Sequence, residues 1–385
     1  MTPLAALIAA RIVAAGPITL ADYMADCLLH PAHGYYATHD PFGASGDFTT
    51  APEISQMFGE LLGLALAQAW LDQGAPPRIT LAELGPGRGT LMADALRATF
   101  KVPGFHAALS LHLVEASAHL RQVQAATLAT HQPQWHDSVT TLPDAPLFLL
   151  ANEFFDALPI RQFRRVPKGW AETLVGLAPH PTPPHRGEGA GLAGPDLWSV
   201  PAPEAATGLL CPGLSAPVNP PDLRHRLADT APGDVVELCP ALPAIIAGIA
   251  SRIARHGGAA LVVDYGGWRS RGDTFQALRQ HLMVDPFAEP GLADLTAHVD
   301  FQAIAMAATP AKCSPMLTQG ALLRHLGIGA RTEKLAAGLH GDALASHLAA
   351  FHRLTDPTEM GNLFKAVALY PEGAAVPAGF QSHDA

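Results

Sequence analysis

The sequence predicts an α/β fold built on a doubly wound parallel sheet, and two patterns support this prediction. From Arg78 onward, short apolar runs alternate with stretches of helical periodicity, as in consecutive βαβ units. After a segment rich in proline and glycine, an apolar strand pattern returns at 258–264, so the sheet resumes beyond an insertion. We therefore expect a doubly wound core with an N-terminal helical layer and an inserted α+β region.

Local signals place the elements of this fold in order along the chain. Thr2 followed by Pro3 is typical of an N-cap and a first helical residue, and residues 54–71 carry the apolar stripe of a long helix. Residues 30–52 predict a loop that is longer than a simple connection. The predicted segments are N-terminal helices with this long loop (1–75), the first half of the core (76–166), an insertion (167–232), the second half of the core (233–310) and a C-terminal helical region with a tail (311–385).

The composition describes a folded, acidic chain. Hydrophobic residues make up 49% and charged residues 15% of the 385 residues, which excludes an intrinsically disordered protein. A formal net charge of −10 opposes sequence-independent binding to nucleic acid and to anionic membranes. The longest apolar runs fall short of the roughly 20 residues that cross a bilayer, so we expect no membrane insertion.

The spacing of cysteines and histidines argues against a metal site. The four cysteines lie far apart without a CxxC pair, which also favours a reducing compartment. The 19 histidines show neither HxxxH nor HExxH spacing on a predicted helix. We therefore expect no metal cofactor.

The strongest local signal is the stretch LAELGPGRGTL at 81–91, where a predicted strand runs directly into a helix. Gly85, Gly87 and Gly89 allow the backbone to approach a ligand closely. A dinucleotide fingerprint, GxGxxG, would need glycine at position 90, which is threonine, and Glu83 would repel a pyrophosphate. The same carboxylate would pair with the α-ammonium group of S-adenosylmethionine, which favours that cofactor over a nicotinamide dinucleotide. The alternative is an ordinary βα turn punctuated by glycine.

Acidic residues at the ends of the next strands extend this prediction. Glu115 follows the second strand, where a carboxylate can bind both ribose hydroxyls of an adenosine. Asp137 follows the next short segment and could accept a hydrogen bond from the adenine amino group. For both residues the alternative is a solvent-facing acid at a strand end.

A polar stretch, NEFFDALP, follows the fourth predicted strand. At this end of a doubly wound sheet, Asn152, Glu153 and Asp156 would face a bound ligand. Two carboxylates three residues apart can hold a guanidinium group, and one can accept the proton that is lost when a nitrogen is alkylated. A capped turn is the alternative. Further acids that could line the same opening, although each by itself is better explained as a turn or cap residue, are Asp264, Asp294 and Asp300.

Seven stretches together resemble the MidA family, which includes the arginine methyltransferases that assist assembly of mitochondrial complex I. They are GDFTTAPEISQMFGELLG, ELGPGRGTL, HLVEAS, NEFFDALP, GDVVELCP, LVVDYG and ADLTAHVDF, and the resemblance spans about residues 20–369. It implies a class I methyltransferase fold with a seven-stranded, Rossmann-like sheet and S-adenosylmethionine as methyl donor. It also implies symmetric dimethylation of an arginine in the quinone-site subunit of NADH:ubiquinone oxidoreductase.

The resemblance further implies roles for the residues that match the family motifs. Glu83 and the glycines of the Gly-rich turn would hold the methionine part of the cofactor, and Glu115 its ribose. Asn152, Glu153 and Asp156 would act on the substrate side. A lid over the cofactor would be formed by Gly46, Asp47, Phe48, Thr50, Pro52 and Glu53.

Two other classes of function remain possible on the sequence alone. A noncatalytic assembly chaperone that binds cofactor and client would carry the same motifs. A nicotinamide dehydrogenase is disfavoured by Glu83 and by the missing glycine at position 90. Because no transit-like extension precedes the first predicted helix, the chain resembles a bacterial, cytoplasmic member of the family. The oligomeric state does not follow from the sequence.

Overall fold

The computed structural model describes residues 1–38, 50–178 and 210–381. The α-helices in these residues are α1 (Pro3–Ala15), α2 (Leu20–Leu29), α3 (Tyr35–Thr38), α4 (Ala51–Ile54), α5 (Gln56–Asp72), α6 (Thr90–Thr99), α7 (Phe105–Ala108), α8 (Ala118–Thr127), α9 (Leu242–His256), α10 (Phe301–Ala307), α11 (Gln319–His325), α12 (Ile328–Ala336), α13 (Gly341–Thr355) and α14 (Met360–Leu363). The strands are β1 (Ile18–Thr19), β2 (Ile79–Leu84), β3 (Leu109–Val114), β4 (Gln134–His136), β5 (Leu147–Asn152), β6 (Arg161–Val166), β7 (Gly169–Leu177), β8 (Leu210–Leu214), β9 (Val235–Leu238), β10 (Gly258–Gly267), β11 (Gln276–Arg279), β12 (Leu282–Val284), β13 (Asp294–Thr296), β14 (Val299–Asp300), β15 (Lys312–Cys313), β16 (Leu317–Thr318) and β17 (Phe364–Tyr370). Short 3₁₀ helices lie at Ala129–His131, Val139–Thr141 and Pro221–Ala228.

Contacts between residues divide the chain into two units, each assembled from three segments. The segments of the first unit are Met1–His39, Leu158–Pro240 and Ser270–Ala297. Those of the second unit are Asp40–Ala157, Ala241–Arg269 and His298–Ala385. The chain therefore leaves and re-enters the second unit twice.

The second unit is built on a predominantly parallel sheet. Its main strands lie in the order β15-β17-β10-β5-β2-β3-β4, and the short strands β14 and β16 pair with β10 and β17. The strands from β10 to β4 in this order are parallel to one another, whereas β17 is antiparallel to β10. The strand order reverses between β2 and β5, and ligands bind such sheets at the carboxyl ends beside the reversal. The predicted doubly wound sheet, with seven strands along its main path, is confirmed.

Helices α5 and α6 pack closely within the core of the second unit. Residues of β2 and β5 are buried along their whole length, as strands covered on both faces must be. A Cβ atom added at Gly63 of α5 would lie 2.6 Å from the Cα of Ala95 in α6, so only glycine allows this approach. The helix predicted at 54–71 is α5, and the Ser55 side chain caps it by accepting from the Met57 N–H at 3.2 Å.

The first unit combines antiparallel sheets with the N-terminal helices. One sheet has the order β1-β7-β6-β9 with β8 beside β7, and the other has the order β12-β11-β13. Thr2 caps α1 as predicted, and Thr19 caps α2. Apolar side chains of these helices, among them Leu4 and Tyr23, form one buried cluster with Val175 of β7.

The predicted segments and the two units divide the chain differently. The sequence-based segments place β6 in the first half of the core and β9 in the second half, whereas both strands pair with each other in the first unit. The reason is physical: the local pattern of a four- to six-residue segment can indicate a strand but contains nothing about which sheet that strand joins.

Two kinds of feature are absent from the described residues. No helix there is long and apolar enough to cross a membrane. Likewise, no group of three or more His, Cys, Asp or Glu side chains in the described ranges has the arrangement of a metal site.

Candidate active site

The Gly-rich turn connects β2 to α6 through three glycines with left-handed backbones. The φ angles are 57° at Gly85, 53° at Gly87 and 82° at Gly89, which is the N-cap of α6. Other residues rarely adopt these values. At Gly85 the space is closed as well, because an added Cβ would lie 3.0 Å from the Phe154 ring. The turn therefore presents bare backbone at the carboxyl end of β2.

A pocket in the second unit opens beside this turn. It lies at the carboxyl ends of the adjacent parallel strands β2 and β5, where the strand order reverses. On a further side, α4 is joined to the start of α6, where the Thr90 hydroxyl donates to Glu53 Oε1 at 2.5 Å. The residues that line the pocket are Thr50, Pro52, Glu53, Glu83, Gly85, Pro86, Gly87, Arg88, Thr90, Leu91, Asn152 and Glu153.

Glu83 is a buried acid with an unused oxygen. Its side chain is 3% exposed, and its Oε2 atom has no hydrogen-bond partner among the described residues. Desolvation, and then the charge of Glu115, raise the pKa of Glu83 to about 8. A cationic ligand group would satisfy this oxygen and reverse the unfavourable electrostatics.

Glu115 is held in place by its neighbours after β3. Its Oε1 accepts from the Ser117 N–H at 2.8 Å, and its Oε2 accepts from Gln124 Nε2 at 3.1 Å. The same Gln124 nitrogen donates to the carbonyl of Gly87 at 2.8 Å, and Gln124 Oε1 accepts from Trp135 Nε1 at 2.8 Å. Burial raises the pKa of Glu115 against the effect of these hydrogen bonds. Gln124, which is fully buried, thus connects the acid after β3 to the Gly-rich turn.

Asp137 has a different environment from Glu115. Its side chain is 89% exposed and forms an ion pair with Arg121. The Arg121 Nε atom also donates to the carbonyl of Glu115 at 2.8 Å. Asp137 is therefore linked through Arg121 to the backbone of Glu115, and neither of these two acids lines the pocket.

The residues Asn152–Asp156, hereafter the carboxyl loop, follow β5. Glu153 has a φ of 51°, and a non-glycine residue in this region costs about 1–3 kcal/mol unless its surroundings impose it. The Glu153 Oε1 atom accepts from Asn152 Nδ2 at 3.1 Å and from the Ala51 N–H at 3.4 Å. Among the described residues, Asn152 Oδ1 and Asp156 Oδ1 are buried without a hydrogen-bond partner.

Three carboxyl groups meet around the carboxyl loop. Desolvation, and then the charge of Asp156, raise the pKa of Glu153 to about 8. Desolvation raises the pKa of Asp156 to about 6 against the hydrogen bond from Tyr265. Burial and the same two acids raise the pKa of Asp264, which lies in β10 and is 0% exposed. This crowding of acids favours a cation at the loop.

The structure brings together most, but not all, of the predicted residues. Glu83, Gly85, Gly87, Thr50, Pro52 and Glu53 meet Asn152 and Glu153 in one pocket, whereas Gly89, Glu115 and Asp156 do not line it. Gly46, Asp47 and Phe48 lie outside the described residues. Asp300 is the N-cap of α10, as the alternative for that residue held, and Asp294 of the first unit accepts from the Tyr36 hydroxyl at 3.1 Å.

Sequence reasoning missed two residues of the site. Arg88 lies inside the Gly-rich stretch, and as the cation in GPGRG it could have been recognised as a partner for a ligand carboxylate. Gln124 carries no such signal, because a glutamine in an amphipathic helix is ordinary.

Comparison with known families identifies the chain. Residues 61–317 match a family model described as S-adenosyl-L-methionine-dependent methyltransferase. Proteins named protein arginine methyltransferase NDUFAF7, mitochondrial, from Danio rerio and Homo sapiens are 36% and 34% identical to the chain. These alignments cover 93% and 96% of this chain and 84% of each relative.

A solved structure agrees with the sequence matches. A protein from Burkholderia thailandensis, crystallised with S-adenosyl-homocysteine, is 28% identical and superposes with a TM-score of 0.76. The match covers 98% of this chain and 92% of that protein. The predicted class I methyltransferase fold, the methyl donor S-adenosylmethionine and the MidA-type resemblance are confirmed. The chain belongs to the family of S-adenosyl-L-methionine-dependent methyltransferases.

Proposed function

We propose that this methyltransferase transfers methyl groups from S-adenosylmethionine to an arginine of a protein substrate. Its curated relatives are named protein arginine methyltransferases, which supports the choice of arginine. In line with the resemblance to the MidA family, we propose symmetric dimethylation of an arginine in the quinone-site subunit of respiratory complex I. We propose further that this takes place in the bacterial cytoplasm.

The observation that carries the proposal is a set of buried acceptor atoms without partners at the sheet reversal. Among the described residues these are Glu83 Oε2, Asn152 Oδ1 and Asp156 Oδ1. Leaving such groups unpaired is costly, so they suit ligands that bring hydrogen-bond donors. An α-ammonium group and a guanidinium group are both donor-only cations.

The residues around the Gly-rich turn fit the cofactor. Glu83 would hold the ammonium group of the cofactor, Arg88 its carboxylate and Glu115 its ribose hydroxyls. Because Gly85 and Gly87 have no side chains, the backbone of the turn could approach the cofactor closely. Asp137 would accept from the adenine amino group. When bound, the cofactor supplies a methyl group that is already activated on a sulfonium. The lid role of Gly46, Asp47, Phe48, Thr50, Pro52 and Glu53 remains a proposal of the same kind.

The carboxyl loop fits the acceptor. Glu153 and Asp156 would bind the guanidinium group, and Asn152 Oδ1 would accept from a further N–H. An arginine nitrogen reacts only when its lone pair is free, so a base must hold the departing proton. The pKa of Glu153 is raised to about 8 in the free protein, and pairing with the guanidinium group would favour its ionised form, which can accept the departing proton. The enzyme's contribution is positioning and proton acceptance, which suits a donor that needs no activation.

A labelling experiment tests the proposal. Purified protein is incubated with S-adenosylmethionine carrying a labelled methyl group and an extract of cells that lack this gene, and the labelled residue is located by mass spectrometry. We expect label on an arginine of one protein, as symmetric dimethylarginine. Label on another residue type would overturn the arginine assignment.

A complementation experiment separates the enzyme from a noncatalytic chaperone. Cells are complemented with the wild-type gene or with Gly85→Val, whose branched side chain conflicts with the positive φ and the Phe154 ring. If complex I assembles only with the wild-type gene and yet no methyl mark is found, the chaperone function replaces the proposal.

A further inference from the structure

Asp264 of β10 contacts the backbone of the carboxyl loop rather than its side chains. Its Oδ2 atom accepts hydrogen bonds from the N–H groups of Phe154 at 3.2 Å, Phe155 at 3.0 Å and Asp156 at 3.4 Å. Its Oδ1 atom accepts from the N–H of Tyr265 at 2.9 Å. Both oxygens of this fully buried carboxyl group are therefore engaged by backbone donors.

These hydrogen bonds lie directly after a residue with an unfavourable backbone conformation. Glu153 adopts a positive φ of 51° without being glycine, and such conformations persist only when the surroundings over-determine them. The N–H of Glu153 donates to the carbonyl of Val263 at 3.0 Å, so β10 fixes the loop from the residue before Asp264 as well. Successive N–H groups aimed at one oxygen form a concave anion site, which the Asp264 carboxyl group fills from within the chain.

The residue that follows Asp264 reaches one of the acids. The Tyr265 hydroxyl donates to the Asp156 side chain. Consecutive residues of β10 thus hold the loop in two ways: Asp264 binds the backbone of the loop, and Tyr265 binds the side chain of Asp156.

We propose that Asp264 is the positioning residue of the methyl acceptor side, because it fixes the relative placement of Glu153 and Asp156 by binding the backbone between them. This inference rests on the proposed function for the role of those two acids, but not for the contacts themselves. Asp264 does not line the pocket, and its removal acts on transfer through the backbone of the loop and through its charge interaction with Glu153 and Asp156. The Gly-rich turn on the cofactor side is held by its glycines and by Gln124 and meets the carboxyl loop at the Phe154 ring, so a change at Asp264 should affect cofactor affinity far less than transfer.

The test compares Asp264→Asn with a matched variant, Glu237→Gln. Asparagine keeps the size of the side chain but replaces one acceptor oxygen with an NH₂ group. This group cannot accept hydrogen bonds from the backbone N–H groups that it faces. Glu237→Gln serves as the control for the general effect of altering a buried carboxyl group. Glu237 is 2% exposed, lies in the first unit and accepts from the Thr274 N–H at 2.9 Å. Hydrogen exchange of the amides of residues 154–156 is measured in both variants and in the wild-type protein.

We expect protection of these three amides in the wild-type protein and a loss of at least about tenfold in Asp264→Asn, with no change in Glu237→Gln. The dissociation constant for S-adenosyl-homocysteine should stay within about threefold in both variants. The rate of label transfer to the gene-deficient extract at saturating cofactor should fall about a hundredfold in Asp264→Asn only.

Three results would overturn the proposal. The first is rapid exchange of the 154–156 amides in the wild-type protein, which is informative even if Asp264→Asn does not fold. The second is equal protection in Asp264→Asn and the wild type. The third is a loss of cofactor affinity as large as the loss of rate. Absence of label from arginine with intact amide protection would instead contradict the proposed function and leave the contacts of Asp264 standing.

Discussion

Two loops at the carboxyl ends of neighbouring strands build the site, and they hold their conformations by different means. The turn after β2 uses Gly85, Gly87 and Gly89, each with a positive φ that glycine adopts freely. The carboxyl loop after β5 has its positive φ at Glu153, where the conformation is strained. Hydrogen bonds that the loop donates to β10 support it there, and for Phe155 the acceptor, Asp264, lies 109 positions further along the chain.

The conformations of the two loops are thus specified by different parts of the sequence. The Gly-rich turn is specified by its own residues, so it is visible in the sequence and should survive changes elsewhere. The carboxyl loop is specified by tertiary contacts, so its shape depends on a distant strand. Cofactor binding and acceptor binding should therefore be separable by mutation.

The electrostatics of the two loops are parallel. Glu83 and Glu153 both have a pKa of about 8, from desolvation in each case and then from the charge of Glu115 or of Asp156. In the free protein at pH 7 both acids are therefore mostly protonated, and a cation that binds to either loop favours the charged form of its acid. If each acid serves only its own loop, a substitution in one loop should leave the function of the other loop unchanged.

The largest effect is expected on the acceptor side. Glu153→Gln or Asp156→Asn removes a group that binds the guanidinium or accepts its proton, and general base catalysis contributes about 10²–10⁴-fold. We expect the rate of label transfer at saturating cofactor to fall about a thousandfold in each variant. The dissociation constant for S-adenosyl-homocysteine, measured by calorimetry, should change less than about threefold.

A surface acid provides the control for this pair. Asp144 is 61% exposed and pairs with Arg255, so Asp144→Asn should leave both rate and affinity unchanged. Wild-type turnover in Glu153→Gln and Asp156→Asn would contradict their assignment to the acceptor.

A smaller effect, on the other loop, is expected for Glu83→Gln. A charge-assisted hydrogen bond contributes about 1.5–3 kcal/mol, so the affinity for S-adenosylmethionine should fall about 10- to 100-fold. The rate at saturating cofactor should change little, because the carboxyl loop is untouched. A variant that lost rate but retained affinity would show that the two loops are not separable in this way.

The raised pKa of Glu83 predicts a second effect of cofactor binding, the release of a proton. With a pKa of about 8, Glu83 is mostly protonated at pH 7 in the free protein, and a bound ammonium group lowers that pKa. Binding should release close to one proton at pH 7, seen as a dependence of the binding heat on buffer ionisation, and Glu83→Gln should abolish it. Because the folded-state pKa is raised, the free protein loses stability as the pH rises from about 4.5 towards 8, and Glu83→Gln should flatten that decline in Tm. A binding heat independent of the buffer would contradict the assignment.

Local residues determine some parts of the fold and distant contacts determine others, and the sequence predicts only the first kind. The doubly wound sheet, the Gly-rich turn and helix α5 follow from local patterns, and all three agree with the structure. The membership of β9 in the first unit does not follow, because strand pairing over a long separation leaves no local signal. For the same reason Asp264 fits a turn or cap from its sequence context, whereas its contacts lie on a loop that precedes it by more than a hundred residues.

The smallest expected effect concerns the adenosine end and tests two acids that the sequence treats alike. Glu115 is partly buried and fixed by Ser117 and Gln124, so Glu115→Gln should weaken binding of S-adenosyl-homocysteine about tenfold. Asp137 is 89% exposed, and water screens its contacts, so Asp137→Asn should weaken binding only about twofold.

S-inosyl-homocysteine, which has a carbonyl where adenine has its amino group, isolates the role of Asp137. If the Asp137 carboxylate accepts from the amino group, the wild-type protein binds the adenosyl compound more tightly than the inosyl compound. In Asp137→Asn that preference should shrink, because the amide can donate to the carbonyl, whereas Glu115→Gln should weaken both compounds equally. A preference unchanged in Asp137→Asn would remove Asp137 from the adenine site, and the adenosine end would then depend on the residues after β3 alone.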